Sequence, residues 1–146
     1  MELDRMLERR EIQEPVVIQA ARFDYQPVHA TGHAVLPYAE LEGMIRAARV
    51  VITHGGPGSI MAVLAAGKAP VVVPRDPRYG EHVDDHQVRF CTWFSQRRPI
   101  RLVTDVTSLP RVLREVGNRD GVPLYIGPSP EVICQLAEII QPRRLG

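Results

Sequence analysis

The stretch of this chain best suited to chemistry is His54-Gly55-Gly56-Pro57-Gly58-Ser59. It follows an apolar, β-branched run, Val50-Val51-Ile52-Thr53, and leads into a helix-forming segment from Ser59 to Ala66. Glycines lack a Cβ, so they let a ligand approach the backbone closely and tolerate positive φ. N–H groups at a helix start have no intrahelical acceptor, and together with the helix dipole they form an anion site. Ser59 adds a hydroxyl donor. The ligand class that fits is a phosphate or diphosphate. The spacing of Gly55, Gly56 and Gly58 does not match the dinucleotide-binding fingerprint, and no Gly-Lys-Ser/Thr follows to make a P-loop. A tight strand-to-helix turn with no ligand would have the same composition, so the turn alone leaves both readings open.

A second polar segment follows the next apolar run, from Pro74-Arg75-Asp76 through Glu81-His82-Val83-Asp84-Asp85-His86-Gln87. In an open α/β sheet, ligands sit beyond the carboxyl ends of the strands, so this segment belongs at the same edge as the glycine turn. Arg75 suits phosphate oxygens. Glu81, Asp85, His86 and Gln87 supply donors and acceptors of the kind that read sugar hydroxyls. An exposed loop capping a helix is the plainer alternative. His82 and His86 are four apart, with Asp85 or His54 as a further ligand, but Val83 stands where the zinc-hydrolase signature needs Glu. No metal is therefore expected. Ser59 lacks a nucleophile elbow, so a serine nucleophile is not expected either.

The surrounding pattern must position these groups. Glu2 to Glu11 reads as an amphipathic helix with Leu3, Met6, Leu7 and Arg10 inward. Val16 to Ala20 reads as a buried strand, Arg22 to Thr31 as a loop, and His33 to Leu36 as a short strand. Pro37 opens a helix to Ala48. Val50–Thr53 and Ala69–Val73 read as buried strands, with Gly67 capping the helix between them. A helix is expected from Asp84 through Phe94, a strand from Ile100 to Val103, and a helix from Leu109 to Val116 capped by Ser108. After a long connection from Gly117, Pro130 opens a last helix to Ile140. Strands alternating with helices, the strands being continuous apolar runs, predict an α/β fold with a parallel sheet covered by helices on both faces.

The 146 residues suit one domain, spanning 1–146. Hydrophobic residues make up 45% and charged residues 24%, with a net charge of +1. That balance argues against a dedicated nucleic-acid binder. The arginine pairs Arg97-Arg98 and Arg143-Arg144 read as solvated surface. Cys91 and Cys134 have no partners at metal spacing and suit a reducing compartment. The charged start, Met1 to Met6, is unlike a signal peptide, and no run of 18 or more apolar residues appears. A cytoplasmic protein is expected.

Taken together and in order, Val51-Ile52-Thr53-His54-Gly55-Gly56-Pro57-Gly58-Ser59-Ile60, Gly67-Lys68-Ala69-Pro70-Val71-Val72-Val73-Pro74-Arg75 and Glu81-His82-Val83-Asp84-Asp85-His86-Gln87 resemble the C-terminal domain of family 28 glycosyltransferases. The likeness is strongest to the small donor-binding subunits of two-part enzymes, some adding N-acetylglucosamine in dolichol-linked glycan assembly and others building bacterial exopolysaccharide units. It covers roughly residues 16–116. The resemblance implies a Rossmann-like C-terminal half of a GT-B glycosyltransferase. His54, Gly55, Gly56, Gly58 and Ser59 would face the diphosphate of a UDP-sugar, with Arg75, Glu81, Asp85 and His86 also at the donor. Gln87, in the segment Asp85-His86-Gln87, would contact the sugar. The implied reaction is hexosyl transfer to a lipid-linked or polysaccharide acceptor, with the UDP-sugar as donor substrate and no bound cofactor.

Two departures carry expectations of their own. Many relatives have an acid at the position of Ala62 to hold the ribose hydroxyls. Relatives also begin with an apolar strand and glycine loop, whereas this chain starts at the helix that follows. A truncated reading frame lacking the first strand is expected, with Val16–Ala20 and Val50–Thr53 pairing directly or a partner filling the gap. The resemblance thus implies a membrane-associated, acceptor-binding partner subunit at the inner membrane face, and exposed sheet edges make a homo-oligomer plausible. A non-catalytic scaffold module and a UDP-sugar epimerase fragment are the competing readings.

Overall fold

The computed structural model describes residues 2–19, 27–79 and 84–117. Their elements run α1 (Glu2–Glu8), β1 (Val17–Gln19), β2 (Thr31–His33), α2 (Tyr38–Ala47), β3 (Ile52–Thr53), α3 (Pro57–Ala65), β4 (Val71–Val72), α4 (His86–Ser95), β5 (Arg101–Leu102) and α5 (Leu109–Gly117). Short 3-10 turns lie at Pro77–Tyr79 and Val106–Ser108. Every strand pair among the described residues is parallel. The alternation of strand and helix is the one the sequence pattern demands, because a parallel pair needs a crossover connection. The described part divides into two compact units, one holding the residues up to Val50 and those from Val103, the other Val51–Leu102.

In the Val51–Leu102 unit, the sheet order is β3-β4-β5, with Ile52 opposite Val71 and Val71 opposite Arg101. The central strand is the buried one. Val71 and Val72 are fully buried, whereas Ile52, Thr53, Arg101 and Leu102 on the flanking strands are half-buried. The core joins Ile60 of α3, Val72 of β4, Cys91 and Phe94 of α4, and Ile100, with Met61, Leu64, Phe90 and Leu102 packed against it. Burying each large apolar side chain contributes roughly 1.5–3 kcal/mol. That packing clamps α3 and α4 to the sheet and so fixes their first turns.

In the other unit, β1 pairs with β2 in the register Val17–Thr31, Ile18–Gly32 and Gln19–His33. Its buried apolar residues are Met6, Leu36, Ile45, Val103, Leu109 and Leu113. Asp4 is also buried, because its carboxylate accepts the N–H groups of Val28 and His29 at 3.2 and 2.9 Å. Ion pairs join Glu14 to Arg49 at 2.6 Å and Arg46 to Glu42 at 2.7 Å. Both are exposed, and such pairs contribute at most about 1 kcal/mol each.

Several expected elements shift. The first helix ends at Glu8, and Arg10, expected inward, is exposed with a φ of 57°. β1 is not a buried strand, since Val17 is 48% exposed. The second strand is Thr31–His33 rather than His33–Leu36, because the N–H of Thr31 bonds to the carbonyl of Val16 and sets the register there. Ser108 does not cap the last described helix. Asp105 caps the 3-10 turn that precedes it, accepting from the Thr107 N–H at 2.9 Å, while the Ser108 hydroxyl donates to the Asp105 carbonyl. The described strands form two sheets, and direct pairing of β1 with β3, one of the two expected arrangements, is not among their pairings. The expected helix from Pro130 to Ile140, Cys134 and the pair Arg143-Arg144 lie outside the described residues.

Candidate functional site

The glycine turn connects β3 to α3. The helix begins at Pro57, not at Ser59, with Gly56 as its N-cap. Proline suits the first helical position because its ring presets φ and its missing N–H would have had no partner. The N–H groups of Gly58 and Ser59 fall in the first turn, where the helix offers them no acceptor. Both point along the positive end of the α3 dipole, and no acidic residue occupies that first turn. Three donors therefore sit within two residues, counting the Ser59 hydroxyl. At the far end the helix closes as expected, on Gly67 with a φ of 77°.

The turn glycines have reasons that differ from the expected positive φ. Among the described glycines, only Gly67 has one. Gly55 is buried, and a Cβ there would meet Cys91 Sγ at 2.8 Å and the Cβ atoms of Gln87 and Pro74 at 3.1 Å. A Cβ on Gly56 would overlap Cε1 of the His54 ring. Gly58 has open space where a Cβ would be, so the fold itself makes no demand for glycine there.

His54 turns back over its own loop. Its Nδ1 accepts the Gly56 N–H at 2.9 Å, and its Nε2 lies 3.3 Å from Ser59 Oγ. Burial of the ring, and then the nearby Arg75 guanidinium, hold its pKa below the ordinary histidine value. A serine beside a histidine raises the question of a nucleophile. A base must offer Nε2 as a lone pair to the serine proton. With Nδ1 already accepting from Gly56, the neutral ring carries its proton on Nε2, so the ring donates to Ser59 and does not deprotonate it.

The polar segment after β4 is drawn to the same place through Gln87. The Arg75 N–H bonds to Gln87 Oε1 at 3.1 Å. The Gln87 amide therefore spends its oxygen on the protein and keeps its NH₂ group as a donor. Asp76 folds the loop. It is 6% exposed and accepts from the Arg78 N–H at 2.9 Å and from its guanidinium at 2.6 and 2.8 Å, which holds the carboxyl below its usual pKa. Helix α4 begins at His86 rather than Asp84, and Asp84 takes the His86 N–H at 3.0 Å. No acidic residue therefore lies in the first helical turn.

The structure brings together His54, Gly55, Gly56, Gly58, Ser59, Arg75 and Gln87. Asp85 and His86 are exposed at the start of α4, and no hydrogen bond among the described residues joins either side chain to the turn. Glu81 and His82 lie outside the described residues. Sequence reasoning missed Cys91 as part of this place. Its fully buried thiol donates to the Gly55 carbonyl at 3.7 Å and forms the floor beneath the turn. The signal was available, since Gln87 and Cys91 are four apart and share one face of α4.

The glycosyltransferase family 28 C-terminal domain matches the chain over residues 6–116. A curated relative, the UDP-N-acetylglucosamine--N-acetylmuramyl-(pentapeptide) pyrophosphoryl-undecaprenol N-acetylglucosamine transferase of Rubrobacter xylanophilus, is 38% identical over 74 residues. That stretch covers 50% of this chain and 21% of the relative, so the matched segment spans about a fifth of the relative's length. No solved structure matches.

Proposed function

The chain belongs to the glycosyltransferase family 28 C-terminal domain family, and from that premise we propose that it binds the UDP-sugar donor of a hexosyltransferase. The observation that carries this reading is the cluster of donors at the start of α3, the Gly58 and Ser59 N–H groups and the Ser59 hydroxyl, with Arg75 nearby and the NH₂ of Gln87 unspent. A diphosphate is an acceptor-only, doubly charged ligand, and this cluster offers donors and positive potential. As the glycosidic bond breaks, negative charge grows on the leaving diphosphate. Donors already held in place stabilise that charge without reorganising, which is electrostatic catalysis. Arg75 adds charge, and Gln87 donates to a sugar or ribose hydroxyl.

The relative's name specifies a UDP-N-acetylglucosamine donor and a pyrophosphoryl-undecaprenol-linked acceptor. By analogy, the acceptor here is lipid-linked or a growing polysaccharide. It is held by a second, membrane-associated subunit that supplies the general base. No helix of the described residues is long and apolar enough to cross a membrane. Attachment at the cytoplasmic face through that partner is part of the same proposal. Ala62 replaces the acid that many relatives use for the ribose. Losing one charge-assisted hydrogen bond costs about 1.5–3 kcal/mol, so donor affinity for the isolated chain is expected on the order of micromolar to millimolar. Calorimetry with UDP tests the reading. Binding weakened about tenfold or more by Ser59→Ala and by Gln87→Ala is expected. A folded wild-type chain that takes up no UDP would sink it.

A further inference from the structure

His54 is exposed, yet both of its ring nitrogens turn back onto its own loop. Resting on the donor-site reading above, we infer that His54 is a positioning residue that fixes the Ser59 hydroxyl as a hydrogen-bond donor toward an acceptor-only ligand oxygen. The ring spends both nitrogens inside the loop, Nδ1 on the Gly56 N–H at 2.9 Å and Nε2 on Ser59 Oγ at 3.3 Å. A neutral imidazole has one N–H. Gly56 can only donate, so Nδ1 is the acceptor and the proton resides on Nε2. Ser59 Oγ then accepts from the ring, and its own proton must go elsewhere. A phosphate oxygen satisfies that demand, since it only accepts. Gly56 is glycine to let the ring lie against it, because a Cβ there would overlap Cε1.

The charge that bears on the ring is Arg75, from the segment after β4, while Cys91 of α4, behind Gly55, remains a neutral thiol. Both burial and Arg75 disfavour the imidazolium. Protonation would put an N–H on Nδ1 facing the Gly56 N–H, and the loop would lose its internal tie. The folded-state pKa is lowered, so this tie contributes stability above the ordinary histidine pKa and loses it as pH falls through the lowered value. A histidine that contacted phosphate directly would behave in the opposite way, binding more tightly when charged.

The test has two arms. In the 15N-labelled, ligand-free protein at neutral pH, the His54 ring signals, identified by their loss in His54→Gln, are expected to show Nδ1 unprotonated and Nε2 protonated. The opposite tautomer, or an imidazolium, overturns the proposal. In the second arm UDP is titrated into the wild type and variants whose folding is checked by thermal melts. His54→Gln can still reach Ser59 with an amide donor and is expected to bind UDP nearly as the wild type does. His54→Asn offers Gly56 an acceptor but falls short of Ser59, and it is expected to lose about tenfold, like Ser59→Ala. The double variant His54→Asn/Ser59→Ala should bind no more weakly than either single one. Additive losses would mean that the ring touches the ligand itself. As pH is lowered through the depressed His54 pKa, wild-type affinity should fall relative to His54→Gln, and a rise would overturn the proposal. If the wild type binds no UDP, the donor-site reading fails alone, and the ring signals still decide the tautomer.

Discussion

At the scale of single residues, the site is a set of side chains that satisfy one another before any ligand arrives. Gln87 gives its oxygen to the Arg75 N–H, and His54 gives its lone pair to the Gly56 N–H. What remains outward is donor character, which suits an anion. Cys91 belongs to the same economy from beneath. Its thiol is fully buried, and burial pushes its pKa up to about 11. At neutral pH it is a thiol rather than the thiolate that reacts. Alkylation of Cys91 in the native protein at pH 7, followed by mass spectrometry, is expected to be negligible and to become rapid on unfolding. Because this pKa is raised, the protein should also lose stability as pH climbs above the ordinary thiol value toward 11. The residue types at this site were legible from sequence, down to Ser59 and Gln87. Which way each group points was not, since the His54 ring orientation depends on a contact with its own backbone two residues on.

At the scale of elements, β3, the turn and the start of α3 act as one unit held by burial of Ile60 and Val63. The glycines within it fall into two classes. Gly55→Ala would press a methyl against Cys91 Sγ and Pro74 and is expected to destabilise the chain by about 1–3 kcal/mol. Gly58→Ala has open space in a helical turn and is expected to stabilise by about 0.4–1 kcal/mol. If Gly58 is glycine so that phosphate can approach its backbone, the same change weakens UDP binding. Thermal melts and calorimetry on both variants check this. A stabilised Gly58→Ala chain with undiminished UDP affinity would show that the ligand does not approach there. Hydrophobic runs located β3, β4 and the helices around them correctly. Boundaries moved because pairing and capping, not hydrophobicity, set them. Ala34-Val35-Leu36 is as apolar as a strand, yet the ladder lies at Thr31–His33, where the Thr31 N–H finds the Val16 carbonyl.

At the scale of the molecule, every described residue of the proposed donor site lies in one contiguous stretch, within the Val51–Leu102 unit. The family match extends beyond it, over residues 6–116. A transferase must also hold an acceptor and remove its proton, and no residue described here is assigned to either task. The expected outcome is that the chain alone binds UDP without transferring sugar, and that transfer to a lipid-linked acceptor appears when a membrane-associated, acceptor-binding partner is added. A radiolabelled UDP-N-acetylglucosamine transfer assay with and without membranes of the source cell checks it. Transfer by the purified chain alone would remove the need for a partner.

By itself the sequence determined the family and the parallel α/β pattern, and it singled out the candidate site, because hydrophobic periodicity and a glycine turn followed by a spaced polar segment are properties of the chain read in order. Tertiary structure alone decided that Cys91 lies beneath Gly55, that Gln87 turns its oxygen inward, and that the histidine of the turn serves the turn. The reason is physical. A hydrogen-bonding group has two faces, and only the packed surroundings determine which face is already spent. Read from sequence, His54 was one more ligand for a diphosphate. In the folded turn both of its nitrogens are engaged, and Ser59 is left to present the donor.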